Sequence, residues 1–515
     1  MTIADLLATL GDLVTAQASL DPASGGRPVK AVAYDSRKVT PGAVFVALRG
    51  LKVDGTAFAV QALSKGAVAV VSEAPRPAGV DAPWVVVADG RRALARLSAA
   101  FFRHPSRELQ LVGITGTNGK TTTAYLISAL FESAGIHCGM LGTVVYRVGL
   151  EERTATRTTP EAADLQQMLR EMVEAGCGAC AMEVSSHALA QQRVDDLRFG
   201  VGVFTNLTRD HLDFHGDMES YFAAKRRLFE LLPDDGTAVV NTDDPRGSAL
   251  AGLRERSMTY AVDRPADVYP TKLSYSLRGV AFEAMTKAGP LQVHTRLVGR
   301  PNVYNALAAI GAGLAAGLEP SAIARGLNEL DGVPGRFQVV SVDHDDITVV
   351  VDYAHTDDAL KNLLETARPL ARQRLITVFG AGGERDRTKR PLMGAVAARL
   401  SDLVIVTSDN PRGEDPNEII EEIKRGIAMP PERTRPGDDR EGQQKYTPPR
   451  ATPYMAIVDR KLAIERAISL ARPDDVVLIA GKGHEKYQVI GDKELPFDDV
   501  AVASQALARR RGQQG

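Results

Sequence analysis

Residues Leu109 to Thr123 read LQLVGITGTNGKTTT, an apolar run followed by a glycine-rich turn that ends in Lys120 and Thr121. The apolar run is typical of a buried strand, and apolar residues at helical spacing follow the turn at once. A strand, a glycine turn and a helix N-terminus together bind phosphate, because backbone N–H groups and the positive end of the helix dipole converge on one point. The stretch therefore predicts a site for ATP or GTP.

The predicted phosphate loop consists of Gly116, Thr117, Asn118, Gly119, Lys120, Thr121 and Thr122. In such loops the lysine lies along the β- and γ-phosphates, and the first threonine hydroxyl takes one coordination position on Mg²⁺. Ile114 stands where the general G-x-x-x-x-G-K-[ST] pattern has glycine, so the tighter spacing indicates a subset of phosphate-loop proteins. A glycine-rich turn with a surface lysine is the alternative interpretation.

The composition is that of an ordinary globular protein, with 44% hydrophobic and 24% charged residues, and 515 residues suggest about three domains. A net charge of −2 gives no support for binding to nucleic acid or to an anionic membrane. The N-terminus lacks the basic start of a signal peptide, and no apolar run reaches the ~18 residues of a membrane span. We therefore expect a cytoplasmic protein in which Cys138, Cys177 and Cys180 are buried structural thiols.

The order of predicted strands and helices divides the chain into three α/β units, residues 1–108, 109–332 and 333–515. We expect a small N-terminal α/β domain, a central parallel sheet of the phosphate-loop ATPase type and a C-terminal Rossmann-like sheet. The residue before Pro105 is disfavoured in a helix, which marks the first boundary. Residues 429–453 are rich in proline, glycine and charge and predict a surface loop.

Polar side chains follow two apolar runs of the central unit, GACAMEVSS and FGVGVFTNL. Glu183 and Ser185 come after the first run, and Asn206 and His211 come after the second. Ligands bind beyond the carboxyl ends of parallel strands, so we expect both clusters to face the phosphate loop. Their oxygen and imidazole groups suit Mg²⁺ that bridges phosphates, and the alternative for each is a satisfied core residue.

Lys225 is predicted on the apolar face of a helix, within SYFAAKRRLFELL. Tyr221 and Phe229 lie four residues away on the same face, while Arg226 and Arg227 carry the exposed charge. A desolvated lysine has a lowered pKa and can be a neutral nucleophile. A lysine whose stem is buried and whose ammonium reaches the surface is the alternative.

A series of longer motifs runs over nearly the whole chain: DSRKVTPGAVFVALRG, GITGTNGKTTT, TRTTPEAADLQ, MEVSSHALAQQRV, FTNLTRDHLDFHG, YFAAKRRLF, NVYNALAA, GVPGRF, VDYAH, GAGGERDRTKRP, SDNPRGEDP and AGKGHEKYQ. In content and in order they resemble the Mur ligases, ATP-dependent amino-acid-adding enzymes of peptidoglycan synthesis. The likeness is strongest to members that add meso-diaminopimelate to UDP-N-acetylmuramoyl-L-alanyl-D-glutamate.

The resemblance implies a reaction through an acyl phosphate. ATP phosphorylates the terminal carboxylate of the nucleotide-peptide, and the incoming amine then displaces phosphate. Such a transfer depends on positioning and on cations around the γ-phosphate. By this likeness the catalytic residues are Lys120, Glu183, His211 and Lys225. Thr121 and Glu183 serve a first Mg²⁺, and Glu183, His211 and a carbamylated Lys225 serve a second.

The resemblance also implies binding residues for each substrate. For ATP it adds Asn305, Arg336 and Asp352 to the phosphate loop. For the UDP-sugar and its peptide it implies Tyr34, Ser36, Leu51, Lys52, Val53, Thr158, Thr159, Ser185, Gln191 and Arg193. For diaminopimelate it implies Arg390, Asp409, Asn410, Pro411, Arg412, Gly481 and Glu485.

The predicted amino-acid pocket centres on the tetrad Asp409-Asn410-Pro411-Arg412. Diaminopimelate has a second carboxylate that lysine lacks, and a planar guanidinium binds a carboxylate through two hydrogen bonds. By the resemblance, lysine-adding relatives have a different tetrad; without it, Asn-Pro is a common turn former. The alternatives are a lysine-adding Mur ligase, a ligase like folylpolyglutamate synthetase, and a non-catalytic nucleotide-binding regulator. We expect a monomer with no nucleic-acid partner.

Overall fold

The computed structural model describes residues 1–17, 22–50, 53–428 and 452–514. Leu51, Lys52 and nearly all of the predicted loop at 429–453 lie outside the described residues. The described elements form three main β-sheets that follow one another along the chain, each covered by helices. This arrangement confirms the predicted α/β class.

The N-terminal sheet has the strand order β1-β5-β4-β3-β2, in which only β1 is antiparallel to its neighbour. Its strands are β1 (Val14–Gln17), β2 (Ala31–Ala33), β3 (Ala43–Ala47), β4 (Ala69–Ser72) and β5 (Trp84–Val87). Its helices are α1 (Ile3–Ala8), α2 (Pro22–Gly25), α3 (Ala59–Ser64) and α4 (Gly90–Phe101). Apolar residues of β3, β4 and β5 pack against α1 and α4 in one core of this domain, and other residues of the same strands pack against α3 in a second core.

The central sheet has eight strands in the order β13-β12-β11-β6-β10-β7-β8-β9, of which the run from β13 to β7 is parallel. A separate antiparallel sheet contains β14, β15 and β16. The strands are β6 (Gln110–Thr115), β7 (Cys138–Leu141), β8 (Val145–Val148), β9 (Glu151–Thr154), β10 (Ala179–Glu183), β11 (Val201–Phe204), β12 (Thr237–Asn241), β13 (Ser257–Tyr260), β14 (Tyr269–Ser276), β15 (Gly279–Met285) and β16 (Leu291–Thr295). The helices are α5 (Lys120–Ser133), α6 (Ala162–Glu174), α7 (Ser186–Ala190), α8 (Leu212–His215), α9 (Met218–Glu230), α10 (Gly247–Ala251), α11 (Arg300–Ala315) and α12 (Pro320–Glu329).

Strand β6 is apolar on both faces because helices cover both faces of the central sheet. Val112 and Ile114 pack into one core with α5 and α11, and Leu111 packs into the other core with α6 and α9. This is the reason for the unbroken apolar run that precedes the glycine turn. Strands β10 and β11 pair with β6 on either side, so the three strands end at one edge of the sheet.

The C-terminal sheet has the order β17-β18-β22-β19-β20-β21, with only the edge strand β17 antiparallel. The strands are β17 (Gln338–Val339), β18 (Thr348–Asp352), β19 (Leu375–Phe379), β20 (Leu403–Val406), β21 (Tyr454–Ala456) and β22 (Val476–Ala480), followed by a hairpin of β23 (Tyr487–Ile490) and β24 (Lys493–Pro496). The helices are α13 (Asp357–Ala367), α14 (Lys389–Leu400), α15 (Pro416–Ile427), α16 (Arg460–Leu470) and α17 (Asp499–Gln514).

The predicted boundaries at 108 and 332 fall between these three sets of elements, and the exact limits stay a prediction. Cys138, Cys177 and Cys180 are free and buried, which confirms the prediction of structural thiols. Within the described parts of the chain, no helix is both long enough and apolar enough to cross a bilayer.

Candidate active site

The phosphate loop joins β6 to α5, and its backbone requires glycine at two positions. Gly116 and Gly119 have backbone φ angles of 147° and 88°, which residues other than glycine rarely adopt. A Cβ on Gly116 would lie 1.8 Å from the Thr205 Oγ1 atom, so the space is closed as well. The loop therefore presents bare backbone at the N-terminus of α5, as a phosphate cradle needs.

Lys120 begins α5 and folds back over the loop. Its Nζ atom donates hydrogen bonds to the carbonyl oxygens of Gly116, at 2.9 Å, and Thr117, at 2.8 Å. Burial lowers the pKa of Lys120, and the nearby Glu183 carboxylate partly opposes that shift. The ammonium group is thus held beside the position that a triphosphate would occupy.

The segment that follows β11 contacts the phosphate loop, as the sequence predicts, and the end of β10 places Glu183 close enough to act on the charge of Lys120. Asn118 donates its backbone N–H to Asn206 Oδ1 at 2.9 Å, and the Thr205 hydroxyl donates to the Asn118 carbonyl at 2.6 Å. Glu183, at the end of β10, is almost fully buried. Its carboxylate accepts the Thr143 backbone N–H at 2.8 Å and the Thr143 hydroxyl at 3.0 Å.

Three histidine rings lie together beside α8. The ring centroid of His187 is 4.8 Å from that of His211 and 5.5 Å from that of His215. Burial lowers the pKa of His211 and of His215 to about 4, so both rings are neutral at pH 7. A neutral imidazole nitrogen can bind a metal ion, whereas a protonated one cannot.

Lys225 lies on the buried face of α9, which confirms the placement that its spacing predicts. Its Nζ atom donates to the Gly116 carbonyl oxygen at 2.6 Å and lies 4.4 Å from the centre of the Tyr221 ring. Burial, and then the charge of Lys120, lower the pKa of Lys225 well below its ordinary value. This environment favours the neutral amine.

The donors around the loop fit a metal ion that is shared with phosphates. Among the described residues, no three His, Cys, Asp or Glu side chains form a ready-made metal cage. Mg²⁺ bound to a nucleotide uses one or two protein ligands, phosphate oxygens and water, so a cage is not expected. Thr121, at the start of α5, offers a hydroxyl, and the Glu183 carboxylate and the His211 imidazole both lie close enough to Lys120 to interact with its charge. The hydroxyl of Thr121 accepts a hydrogen bond from Arg336 Nη2 at 3.1 Å.

Two of the three further residues predicted for ATP touch the phosphate loop directly. The Asn305 side chain packs against Gly119, whose added Cβ would lie 2.4 Å from Asn305 Oδ1. Arg336 donates to Thr121 from the C-terminal domain and stacks on the Tyr353 ring at 4.7 Å. Asp352 accepts the backbone N–H groups of Phe337, at 2.6 Å, and Ala354, at 2.8 Å. Asp352 thus shapes the start of the C-terminal domain.

A cleft of about 990 Å³ lies between the N-terminal and central domains. Tyr34, Ser36 and Val53, all predicted for the UDP-sugar, line this cleft. The sequence interpretation missed the cations Arg37, Lys38 and Arg157 and the ring of Phe58, which line it too. The motif DSRKVTPGAVFVALRG contains several charged residues, and its sequence alone does not show which of their side chains line a cleft.

The residues predicted for the sugar and peptide form one hydrogen-bonded group. The Thr159 hydroxyl donates to the Glu183 carbonyl at 2.9 Å and lies 3.2 Å from Ser185 Oγ. Arg193 donates to the Thr159 carbonyl at 3.1 Å and to Gln191 Oε1 at 2.5 Å. Thr158 Oγ1 is 3.1 Å from Thr143 Oγ1, and Thr143 in turn holds Glu183. The group connects the cleft to the phosphate loop.

The predicted amino-acid pocket is built around a buried polar network. The side-chain amide of Asn410 donates to Glu485 Oε2 at 2.9 Å. Lys482, which the sequence interpretation did not single out, donates from Nζ to Asn410 Oδ1 at 3.0 Å and to Glu485 Oε2 at 2.9 Å. Asp409 packs against Gly481, where a Cβ would lie 2.4 Å from Asp409 Oδ2. Neutral, cationic and anionic groups thus share one pocket.

The two arginines predicted for this pocket differ in their freedom to bind a ligand. Arg412 is partly exposed, and its Nη1 atom donates to the Gly383 carbonyl at 2.7 Å. Arg390 is fully buried, and its guanidinium pairs with Glu414 at 2.9 Å and Glu422 at 2.8 Å. The structure therefore does not place the Arg390 guanidinium where it can contact an amino acid.

Arg385 is a second exposed guanidinium near Arg412. A Cβ on Gly382 would lie 3.2 Å from Arg412 Nη1 and 3.8 Å from Arg385 Cγ. Both arginines occur in motifs that the sequence analysis quotes, GAGGERDRTKRP and SDNPRGEDP. The sequence alone could not decide which arginine of the first motif is buried, because that depends on Glu414 and Glu422 of another segment.

Family models match all three parts of the chain. They are described as "Mur ligase family, catalytic domain" at residues 28–102, "Mur ligase middle domain" at 114–313 and "Mur ligase, glutamate ligase domain" at 335–483. A curated protein of Geobacter metallireducens, named UDP-N-acetylmuramoyl-L-alanyl-D-glutamate–2,6-diaminopimelate ligase, is 48% identical over 486 residues, which cover 92% of this chain and 94% of that protein. This chain belongs to the Mur ligase family.

Further comparisons agree with this membership. A protein of the same name from Solibacter usitatus is 47% identical, with 95% of each chain covered. A solved structure of an enzyme with that name is 34% identical, with a TM-score of 0.68 and 99% of each chain covered. As a member of this family of ATP-dependent ligases, the chain is an enzyme.

The Mur ligase site draws on more than one domain. Burial lowers the pKa of Lys389, while Asp210 of the central domain and Asp409 of the C-terminal domain both act to raise it. The residues predicted for the phosphate side and those predicted for the amino-acid side are therefore close enough to share one electrostatic environment. Lys120 and Lys225 meet at the Gly116 carbonyl, so the predicted catalytic lysines also lie together.

Proposed function

We propose that this Mur ligase joins meso-diaminopimelate to UDP-N-acetylmuramoyl-L-alanyl-D-glutamate and converts ATP to ADP and phosphate. The observation that carries the proposal is the polar pocket of Asn410, Lys482 and Glu485 with the arginines Arg385 and Arg412 at its exposed side. A ligand with an ammonium group and two carboxylates matches this mixture of charges. The names of curated relatives at 47–48% identity support the same substrates.

The proposed reaction has two transfers. An oxygen of the terminal glutamate carboxylate attacks the γ-phosphorus, the bond from that phosphorus to the bridging oxygen breaks, and ADP leaves. The amine nitrogen then attacks the acyl carbon, the bond from carbon to the phosphate oxygen breaks, and inorganic phosphate leaves while one proton passes to solvent. The loop backbone and Lys120 hold the triphosphate in line for the first transfer.

The metal proposal uses the residues named above. Thr121, Glu183 and His211 would hold Mg²⁺, which neutralises charge on the triphosphate when bound. To bind the metal ion, the Glu183 carboxylate would give up the hydrogen bond that it accepts from the Thr143 hydroxyl. We further propose that the neutral amine of Lys225 adds CO₂: nitrogen bonds to carbon, one proton leaves, and a carbamate anion forms. The carbamate turns a buried neutral amine into an anion.

We propose different roles for the arginines of the amino-acid pocket. Arg412 and Arg385 would bind the second carboxylate of diaminopimelate, since Arg385 is exposed and Arg412 is partly exposed beside Gly382. Arg390 would act indirectly, because its ion pairs fix Glu414 and Glu422 behind the pocket wall. The remaining residues that the resemblance implies for diaminopimelate binding stay part of the proposed pocket: Asp409, Asn410, Pro411, Gly481 and Glu485.

The UDP-sugar would occupy the cleft between the first two domains. Tyr34, Ser36 and Val53 line it, and Leu51 and Lys52 precede Val53 in the sequence. The hydrogen-bonded group of Thr158, Thr159, Ser185, Gln191 and Arg193 leads from the cleft toward Glu183. A peptide extending along this group would bring its terminal carboxylate to the phosphate loop.

The alternatives explain fewer observations. Lysine would leave the guanidinium of Arg412 without a carboxylate partner. A ligase like folylpolyglutamate synthetase leaves the Mur ligase model at residues 28–102 and the adjoining cleft unexplained. A non-catalytic regulator has no need for a buried lysine beside the phosphate loop, yet Lys225 lies there. A cytoplasmic location and a monomeric state stay predictions.

The proposal is tested by phosphate release from ATP in the presence of UDP-N-acetylmuramoyl-L-alanyl-D-glutamate and an amino acid. We expect release that requires both partners and is at least about 10-fold faster with meso-diaminopimelate than with L-lysine, the effect of one charged hydrogen-bonded contact. Equal rates with the two amino acids would contradict the pocket assignment. Release that does not depend on the UDP-peptide would contradict the ligase reaction.

A further inference from the structure

Asp358, a residue outside the motif assignments above, joins the C-terminal domain to the phosphate loop. It lies in the first turn of α13, where Thr356 caps the helix by accepting the Ala359 N–H. Asp358 Oδ2 accepts hydrogen bonds from Asn118 Nδ2 at 2.8 Å and from the Thr208 hydroxyl at 3.0 Å. A third donor is Asn362 Nδ2, one turn along α13, at 3.3 Å.

The two central-domain donors belong to segments that already hold each other. The Thr208 N–H donates to Thr117 Oγ1 at 3.0 Å, and Asn118 Nδ2 donates to Thr208 Oγ1 at 3.3 Å. Residues 206–211, a segment after β11, thus lie against the loop through Thr208 and end at His211. One carboxylate therefore contacts both the phosphate loop and the segment that carries the proposed metal ligand.

The donors to Asp358 are neutral, which distinguishes this contact from a surface ion pair. Arg209, the next residue after Thr208, makes a second contact across the same boundary by donating to Thr388 Oγ1 at 3.0 Å. A carboxylate beside a phosphate cradle repels a triphosphate unless the cations of the assembled site neutralise it. A carboxylate at this position therefore does not favour nucleotide binding by itself, which indicates a different role for Asp358.

We propose that Asp358 is a positioning residue that couples closure of the C-terminal domain to the alignment of Asn118 and residues 206–211 for phosphoryl transfer. The contact forms only when α13 lies against the loop, so its hydrogen bonds stabilise the closed arrangement and no other. The inference rests on the proposed function for the reaction it serves, and its structural part concerns the nucleotide site alone.

The first test compares neighbouring acids of one helix turn. Asp358→Ala is expected to lower kcat by about 10- to 100-fold, the effect of losing hydrogen bonds to a charged acceptor, while the Kd for ATP changes less than threefold. Asp357→Ala removes the same charge from the same turn and is the matched control, expected to change kcat less than threefold. Asp358→Asn retains an acceptor oxygen and should recover most of the activity. Equal losses in Asp357→Ala and Asp358→Ala, or no recovery with Asn, would overturn the proposal.

A double-mutant cycle measures the coupling itself. Thr208→Val removes one donor, and because both variants break the same contact, the double variant Thr208→Val, Asp358→Ala should lose little more than Asp358→Ala alone. Losses that multiply would show that the two residues act independently and would contradict the proposed coupling.

Amide hydrogen exchange gives a readout that needs neither the UDP-peptide nor the amino acid. A non-hydrolysable ATP analogue with Mg²⁺ should slow exchange in residues 116–119 and 206–211 of the wild type at least threefold more than in Asp358→Ala. The thermal midpoints of the ligand-free proteins serve to exclude general destabilisation. Identical protection in both proteins would overturn the proposal even if the ligase reaction is confirmed, and a failed ligase assay leaves this comparison valid.

Discussion

Lys120 and Lys225 donate hydrogen bonds to the same carbonyl oxygen, that of Gly116; Lys225 is buried and Lys120 is partly buried. Two ammonium groups at one acceptor repel each other, so the site favours a neutral amine at one of them. The pKa of Lys225 is lowered further, first by burial and then by Lys120. A neutral buried amine is reactive toward CO₂, and this is the physical basis for a carbamate at Lys225.

Replacing Lys225 tests the carbamate at the scale of one side chain. Lys225→Ala should lower kcat by about 10²- to 10³-fold, comparable to the loss of one preorganised electrostatic contact. Arg226→Ala is the matched control, because Arg226 lies next in α9 and pairs with Glu230 at the surface. Incubation with ¹³C-bicarbonate should give a carbamate NMR signal in the wild type and in Arg226→Ala. A signal that persists in Lys225→Ala would place the carbamate elsewhere.

The amino-acid pocket yields a second prediction at this scale. Arg412→Ala should raise the KM for diaminopimelate by about 10- to 100-fold, because a charged contact to one carboxylate is lost. The KM for ATP should change less than threefold. An unchanged KM for diaminopimelate would contradict the role of Arg412.

Arg390→Ala is expected to act on stability instead. Its removal leaves the carboxylates of Glu414 and Glu422 without their buried partner, which costs about 3 kcal/mol of unfolding free energy. Chemical denaturation of Arg390→Ala and Arg412→Ala should therefore separate the two arginines. An Arg390→Ala variant of full stability with a raised KM for diaminopimelate would restore Arg390 as a ligand-binding residue.

At the scale of elements, the turn between β6 and α5 determines where phosphate can bind. Its shape follows from residues that the sequence shows, since glycine is required where the backbone enters the left-handed region. The neighbours that close the space around the turn are Thr205, which follows β11, and Asn305 of α11. The turn is predictable from sequence, whereas its close contacts are not.

Gly116→Ala tests this turn directly. A methyl group would lie 1.8 Å from Thr205 Oγ1 at φ 147°, so we expect ATP binding to weaken at least about 100-fold as the loop shifts. Gly252→Ala is the control, because its added Cβ would have ordinary contacts of 3.7 Å or more and its φ is −70°. Isothermal titration with ATP and Mg²⁺ measures both. Wild-type affinity in Gly116→Ala would contradict the loop geometry.

Helix α8 and its histidines predict a pH dependence of stability. The folded-state pKa of His215 is about 4 against an ordinary value of 6.5, so the folded protein binds fewer protons than the unfolded chain between these pH values. Stability should therefore decrease as pH falls from 6.5 to 4 and show no such loss above 6.5. The lowered pKa of His211 contributes to the same loss of stability at acid pH. Its contribution is smaller because the His211 side chain is 44% exposed.

His215→Gln isolates this effect. Glutamine keeps a polar group beside Ser186, which lies 2.9 Å from His215 Nε2, and does not titrate. Unfolding midpoints measured from pH 4 to 8 should decline less steeply toward acid in His215→Gln than in the wild type. Parallel curves for the two proteins would contradict the lowered pKa.

At the scale of the whole molecule, residues far apart in sequence form one site. Asn118 and Asp358 are 240 positions apart, and Asn410 and Lys482 are 72 apart. Local patterns predicted the phosphate loop, the strand ends and the buried face of α9, because each depends on residues within a few turns of chain. They did not reveal Lys482, Arg385 or Asp358, whose meaning depends on partners in other segments. The family resemblance assigned Arg390 to the pocket as well, because a sequence motif does not show which of its side chains is buried.

The proposed reaction requires these domains to assemble a site in which the UDP-peptide carboxylate receives the γ-phosphoryl group. The most direct measurement uses UDP-N-acetylmuramoyl-L-alanyl-D-glutamate with ¹⁸O in the terminal glutamate carboxylates, together with ATP and meso-diaminopimelate. An acyl phosphate moves one carboxylate oxygen into each phosphate that is released, so mass spectrometry should find one ¹⁸O per inorganic phosphate. Inorganic phosphate that contains no ¹⁸O would contradict the account.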